Sequence, residues 1–153
     1  MRYQRVLVAV DLTEEAEEVL GAARDFLASA GAGVSVDVLT VVRPLARVYG
    51  GLDMAPMAAS ALAFEDEAVK QTTGQLKTLV ADFGIDAERA HVRVGSPSME
   101  IKAFAAEQDT QLIIMGTHGR QGLGLLLGST ANAVLHGVPC DVLAISIKSM
   151  EVS

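Results

Sequence analysis

The sequence contains no tryptophan, a single cysteine and only 4% aromatic residues. Aliphatic side chains must therefore fill any core. The lone Cys140 excludes an internal disulfide and points to a reducing compartment. No apolar run approaches the ~18 residues of a membrane helix. The opening stretch MRYQRVLVAVDLTEE turns acidic straight after its short apolar run and lacks the small-residue cleavage site of a signal peptide. A cytoplasmic protein without membrane insertion is the expectation. Basic residues are also scarce, 12 Lys and Arg against 19 Asp and Glu, for a formal net charge of −7. This disfavours a broad nucleic-acid or anionic-membrane surface. A local phosphate site built from backbone groups stays open, because it needs no net positive charge.

What is present suits one domain over residues 1–153: half of the residues are apolar and 20% charged, enough for a core without disulfides. Residues 5–10 (RVLVAV) form a Val-rich run that reads as a buried strand. Ala16, Val19, Leu20, Ala23, Phe26, Leu27 and Ala30 then recur on one helical face, with Asp11 and Glu14 fitting a capping box and Gly31–Gly33 a stop. A second strand is expected over 34–42, followed by a long segment, 43–60, with Pro44, Gly50, Gly51 and Pro56. Such segments are uncommon without a role, so a lid or partner surface competes there with packing of Met54 and Met57 over the sheet end. A helix through Leu62, Val69, Leu76, Leu79, Val80 and Phe83 comes next, then strands at 90–94, 111–115 and 141–147. Between the last three strands lie a helix capped by Ser96-Pro97, burying Ile101, Phe104 and Ala105, and a short helix bearing Ala131, Val134 and Leu135.

Alternating strands and helices predict an open, mostly parallel five-stranded α/β sheet with helices on both faces, a Rossmann-like arrangement. Central strands read as continuous apolar runs and edge strands can alternate. VLVAV and LIIM are continuous, whereas His91 and Arg93 interrupt the third strand and the fifth alternates through Leu143, Ile145 and Ile147. The implied order is 3-2-1-4-5. Its winding reverses between strands one and four, where ligands of such sheets bind at the carboxyl ends. Asp11 and Gly116 follow those two ends.

The run Gly116-Thr-His-Gly119 leaves a central strand, and Gly128-Ser129-Thr130 opens the final helix. Glycines permit close ligand approach, while helix-start N–H groups and the two hydroxyls can hold a phosphate. A plain connecting loop with a Ser129 cap is the competing reading. No G-x-x-x-x-G-K-[ST] motif occurs, which argues against a P-loop enzyme. Gly122, Gly124 and Gly128 mimic a dinucleotide fingerprint, but they start too far past the strand, and Asp141 begins a strand where the ribose acid should end one.

With VLVAVDLT, LTVV, HVRVGSPSMEI and IIMGTHGRQGLGLLLGSTANAVLHGVPCDVLAI, the chain resembles the universal stress proteins over nearly its whole length. Gly116, Gly119, Gly128 and Ser129 take positions of that family's ATP-binding pattern, although eight residues, 120–127, stand where the pattern has nine. The resemblance implies Asp11 and Val41 at the ribose–adenine half, a glycine loop on the phosphates of ATP, ADP or AMP, and a homodimer through the 141–147 edge strand. A Mg²⁺ ion can accompany the phosphates.

Asp11 fits a helix cap and a ligand contact equally well. His118 is a loop-ordering or phosphate-facing side chain rather than an acid or base, since no nucleophile or carboxylate is placed beside it. Arg120 fits a phosphate partner or a solvated loop side chain. His136 and Cys140 are too few for a metal site, and no catalytic residue is assigned. The expected function is a nucleotide-binding regulatory protein of the stress response with a protein partner of unknown identity. A nucleotide-independent dimeric adaptor is the alternative. A slow ATPase ranks behind both, for want of a cation clamp, metal-holding acids and a water-orienting residue.

Overall fold

The computed structural model describes residues 3–44, 55–117 and 128–147, with backbone alone at 55–59 and 61. Five strands run β1 (Arg5–Ala9), β2 (Ser35–Val42), β3 (Ala90–Val94), β4 (Leu112–Gly116) and β5 (Asp141–Ile145). The helices are α1 (Glu15–Ala28), α2 (Ala55–Asp82), α3 (Pro97–Glu107) and α4 (Ser129–Leu135), with a 3₁₀ turn at Ala87–Arg89. All pairings are parallel, in the order β3-β2-β1-β4-β5. The register sets Val8 beside Val38 on one side and Ile114 on the other.

Side chains of a strand alternate between faces, so β1 serves two cores. Val6 and Val8 join Val38, Ile114, the α1 residues Val19 and Leu20, and Leu76 and Val80 of α2. Leu7 and Ala9 join Leu39, Ile113, Ile101 and Phe104 of α3, and Ala131 and Val134 of α4. Both neighbours of β1 are strands and both faces are covered, which is why its run carries no polar residue between Val6 and Val10.

Several expectations are corrected. Asp11 and Glu14 do not form a capping box: Glu14 occupies the N-cap position without a side-chain cap bond. Instead the Asp11 carbonyl accepts from the Thr13 N–H at 2.7 Å, and the Thr13 carbonyl and Oγ1 accept from the N–H groups of Ala16 (3.1 Å) and Glu15 (3.3 Å). This tight turn delays the helix, so Thr13 meets the orphan donors. Ser96 does precede Pro97, but its backbone carbonyl, rather than its hydroxyl, accepts the first helical bond, from the Glu100 N–H. The second long helix begins at Ala55, inside the segment expected to be irregular; residues 45–54, including Met54, lie outside the described residues. Leu62 and Leu135, expected inside, are 51% and 48% exposed. The helix carrying Leu62 has 28 residues, or ~42 Å, against ~17 Å for a five-residue strand, so its first half outruns the sheet.

His91 and Arg93, the polar interruptions of the third strand, are half-buried. They lie on the α3 side of β3: the His91 ring packs 4.8 Å from Phe104, and the Arg93 guanidinium sits 4.9 Å from the same ring. The apolar face of β5 is likewise covered. Leu143, Ile145 and Ile147 pack on the core beneath α1.

Candidate functional site

The sheet order puts a crevice at the carboxyl ends of β1 and β4, where the crossovers diverge to opposite faces. Beyond β1 the chain passes Val10, whose N–H donates to the Leu39 carbonyl at 2.9 Å, and reaches the exposed Asp11. Its side chain makes no hydrogen bond or ion pair with the described residues. The neighbouring strand contributes Val41, half-buried on the α3 side. Beyond β4, the Thr117 N–H donates to the Ile145 carbonyl at 2.9 Å, and the Thr117 carbonyl accepts from the Gly128 N–H. That last bond closes the glycine-rich connection at its base and holds the start of α4 beside the end of β4.

The expected site residues divide accordingly. Asp11, Val41, Gly116, Gly128, Ser129 and Thr130 lie at the carboxyl end of the sheet or on the α4 start stapled to it. His118, Gly119 and Arg120 lie outside the described residues. Two of the glycines are shaped by the protein itself. A Cβ on Gly116 would stand 3.1 Å from Ile147 Cδ1 and 3.3 Å from Val19 Cγ2, so packing beneath α1 already demands a small residue there. Gly128 has φ −59° and ψ 155°, angles open to any L-residue, and its N–H is occupied by Thr117. The helix it precedes has only seven residues. What remains for a ligand at this end is space, the exposed Ser129 and the half-buried Thr130.

Two contributors escaped the sequence reading. Thr117 supplies the staple through its backbone, so no side-chain signal could reveal it. Gly95, at φ +154°, turns the chain from β3 into α3, and its N–H donates to the Val42 carbonyl at 2.9 Å. A Cβ there would meet Glu100 Cγ at 2.9 Å. A glycine directly after a strand and before Ser-Pro was the legible sign of a constrained turn.

Charged groups cluster on the α3 side of β2 and β3, where Arg93 is the register partner of Val41. Asp37 Oδ1 lies 2.9 Å from His91 Nε2 and 3.4 Å from the Arg89 guanidinium. Arg93 forks onto Glu107, with Glu100 3.9 Å away. The hydrogen bonds to Glu107 hold the Arg93 pKa above its ordinary value, against the opposing effect of burial. The same hydrogen bonding holds the Glu107 carboxyl below its usual range. Burial, reinforced by Asp141, pushes the Cys140 thiol up from its ordinary value. Among the described residues no group of three or more His, Cys, Asp or Glu could hold a metal, and no helix is long and apolar enough to cross a membrane.

Comparison with known proteins agrees with this architecture. The universal stress protein A homolog 1 of Coxiella burnetii is 36% identical over 149 residues, covering 97% of this chain and 99% of that protein. The universal stress protein UspA of Lactobacillus plantarum superposes with a TM-score of 0.69 at 25% identity, covering 95% and 99% of the two chains. A universal stress protein in complex with cAMP shares the fold at 22% identity and a TM-score of 0.56, covering 94% and 98%. The model of the universal stress protein family matches residues 2–146, and the chain belongs to that family.

Proposed function

We propose that this universal stress protein is a cytoplasmic, single-domain regulatory homodimer that binds ATP or a related adenine nucleotide. One observation carries the reading: the ends of β1, β2 and β4 and the start of α4 meet at the switch point of the sheet, with the intervening glycine-rich connection closed by the Gly128–Thr117 bond. In this reading Asp11 accepts hydrogen bonds from the ribose, Val41 lies against adenine, and Gly116, His118, Gly119, Arg120, Gly128, Ser129 and Thr130 surround the phosphates with any Mg²⁺ they carry. Asp11 suits that task because Thr13 relieves it of capping α1. That a protein of the same fold has been seen with cAMP is consistent with an adenine nucleotide, without fixing which one. We assign no catalytic residue. The nucleotide would bias assembly or the engagement of a partner protein.

A second reading, a dimeric adaptor that needs no nucleotide, is favoured by Gly116, whose lack of a side chain Ile147 and Val19 already explain. Mass spectrometry of small molecules released from undenatured protein separates the two. Recovered ATP, ADP or AMP supports the first. Apo protein that also gives no heat on titration with these nucleotides overturns it.

A further inference from the structure

We propose that the groove between the start of α1 and the C-terminal part of α2 docks a partner protein through a short basic segment anchored by an apolar side chain. The cleft measures about 410 Å³. Leu12, Ala16 and Leu79 supply apolar lining, while Glu14 and Glu17 bring carboxylates and Gln75 an amide. No cation lines it among the described residues.

The α2 wall extends beyond the cleft. Phe64 precedes Gln75 by eleven positions (75 − 64), close to three helical turns, so the two share a side of α2 some ~16 Å apart. Phe64 is 70% exposed on the half of α2 that outruns the sheet. A single exposed ring is unremarkable; one aligned with an apolar-lined cleft extends the same contact strip. The strip is long enough for about three turns of a bound helix, more than the roughly two turns over which helix-in-groove recognition spaces its anchors.

Charge selects the occupant. Lys and Arg lay apolar stems along such a lining and present their cations to the carboxylates. A nucleic acid would be repelled. A second copy docking the same patch by twofold symmetry would bring Glu14 and Glu17 toward their own equivalents, on a chain already at −7. A basic amphipathic segment of another protein satisfies both the lining and the carboxylates.

The full chain is titrated into a fluorescein-labelled helical peptide of Leu and Lys, about fourteen residues long with Leu at helical spacing, and into its Leu and Glu counterpart. Anisotropy is followed near physiological salt, where long-range attraction is screened. The expected result is saturable binding of the Leu–Lys peptide alone. Glu14→Lys with Glu17→Lys should weaken it by at least roughly tenfold, and Phe64→Ser by about threefold. Asp25→Lys with Glu88→Lys makes the same change in net charge at the opposite end of the sheet, and should keep affinity within about twofold. Should the groove pair misfold by circular dichroism, Glu14→Gln with Glu17→Gln replaces it, with a loss of about threefold expected. Equal losses from both charge pairs would mean net charge alone attracts the peptide. That result, absent saturation, or self-association abolished by the groove variants without peptide binding would each overturn the proposal. The readout is independent of nucleotide, so it succeeds or fails apart from the preceding reading.

Discussion

Asp11→Ala separates the two jobs that sequence alone could assign to this residue. Were Asp11 the cap of α1, losing it would cost about 0.5–2 kcal/mol of stability. In the structure the α1 donors turn to Thr13, through its carbonyl at 3.1 Å and its hydroxyl at 3.3 Å. The cap loss therefore transfers to Thr13→Ala, which forfeits only the hydroxyl bond, so about 0.5–1 kcal/mol is expected. For a chain of this size that lowers Tm by roughly 1–4 °C, whereas Asp11→Ala should change it by less than about 1 °C. Nucleotide affinity should respond in the reverse order. A carboxylate accepting from ribose contributes about 1.5–3 kcal/mol, so Asp11→Ala should weaken ATP binding by roughly 10- to 100-fold, and Thr13→Ala should leave it nearly unchanged. Thermal unfolding and calorimetric titration of both variants measure the two axes. A destabilised Asp11→Ala with wild-type ATP affinity would refute the argument, since Asp11 would then cap and not bind.

Gly128→Val should abolish ATP binding with an unchanged circular dichroism spectrum, because φ −59° suits valine while its side chain would enter the proposed phosphate space; Ser129→Ala, losing one hydroxyl bond of about 0.5–1.5 kcal/mol, should weaken binding by roughly 2- to 12-fold in the same titration. Because the Glu107 pKa is lowered in the folded state, its contribution is fully present above the unfolded value and is lost as pH falls through the lowered one. Urea midpoints of wild type and Glu107→Gln should therefore differ at neutral pH and converge below the ordinary carboxylate range. ATP hydrolysis should run far below the ~10 s⁻¹ of ordinary enzymes; a robust turnover lost in His118→Ala would restore the enzyme.

The strand order was legible because the chain advertises burial in its runs. VLVAV and LIIM must be covered on both faces, and only interior positions of this sheet demand that. The edges were legible for the converse reason, but the meaning of their polar residues was not. His91 and Arg93 break the pattern of β3, yet they pack on Phe104 and pair with Asp37 and Glu107. Those partners sit on β2 and α3, and spacing within one strand cannot name them. The same limit applies at the crevice. Asp11 and Glu14 have the spacing of a capping box, and nothing local reveals the turn that lets Thr13 supplant it. Gly116 reads as part of a glycine loop, whereas the side chain that requires it small, Ile147, comes 31 positions later (147 − 116).

Assembly through β5 has to be tested with that packing in view. In a parallel pair, a residue that donates and accepts toward one neighbour alternates with one that faces away. The Asp141 N–H donates to the Gln111 carbonyl and the Ile145 carbonyl accepts from Thr117, so Asp141, Leu143 and Ile145 spend their backbone groups on β4. Val142 and Ala144 present theirs outward, on an edge that no described strand pairs with. Proline at 145 would break the internal ladder and disturb the core contact made by Ile145, so loss of a dimer there would say nothing about the interface. Ala144→Pro is the informative change: Ala144 is exposed, and proline removes an N–H that points away from β4. Light scattering at micromolar concentration should give a dimer for wild type and a folded monomer for Ala144→Pro. A wild-type monomer, or an Ala144→Pro dimer as tight as wild type, would rule out assembly through this edge.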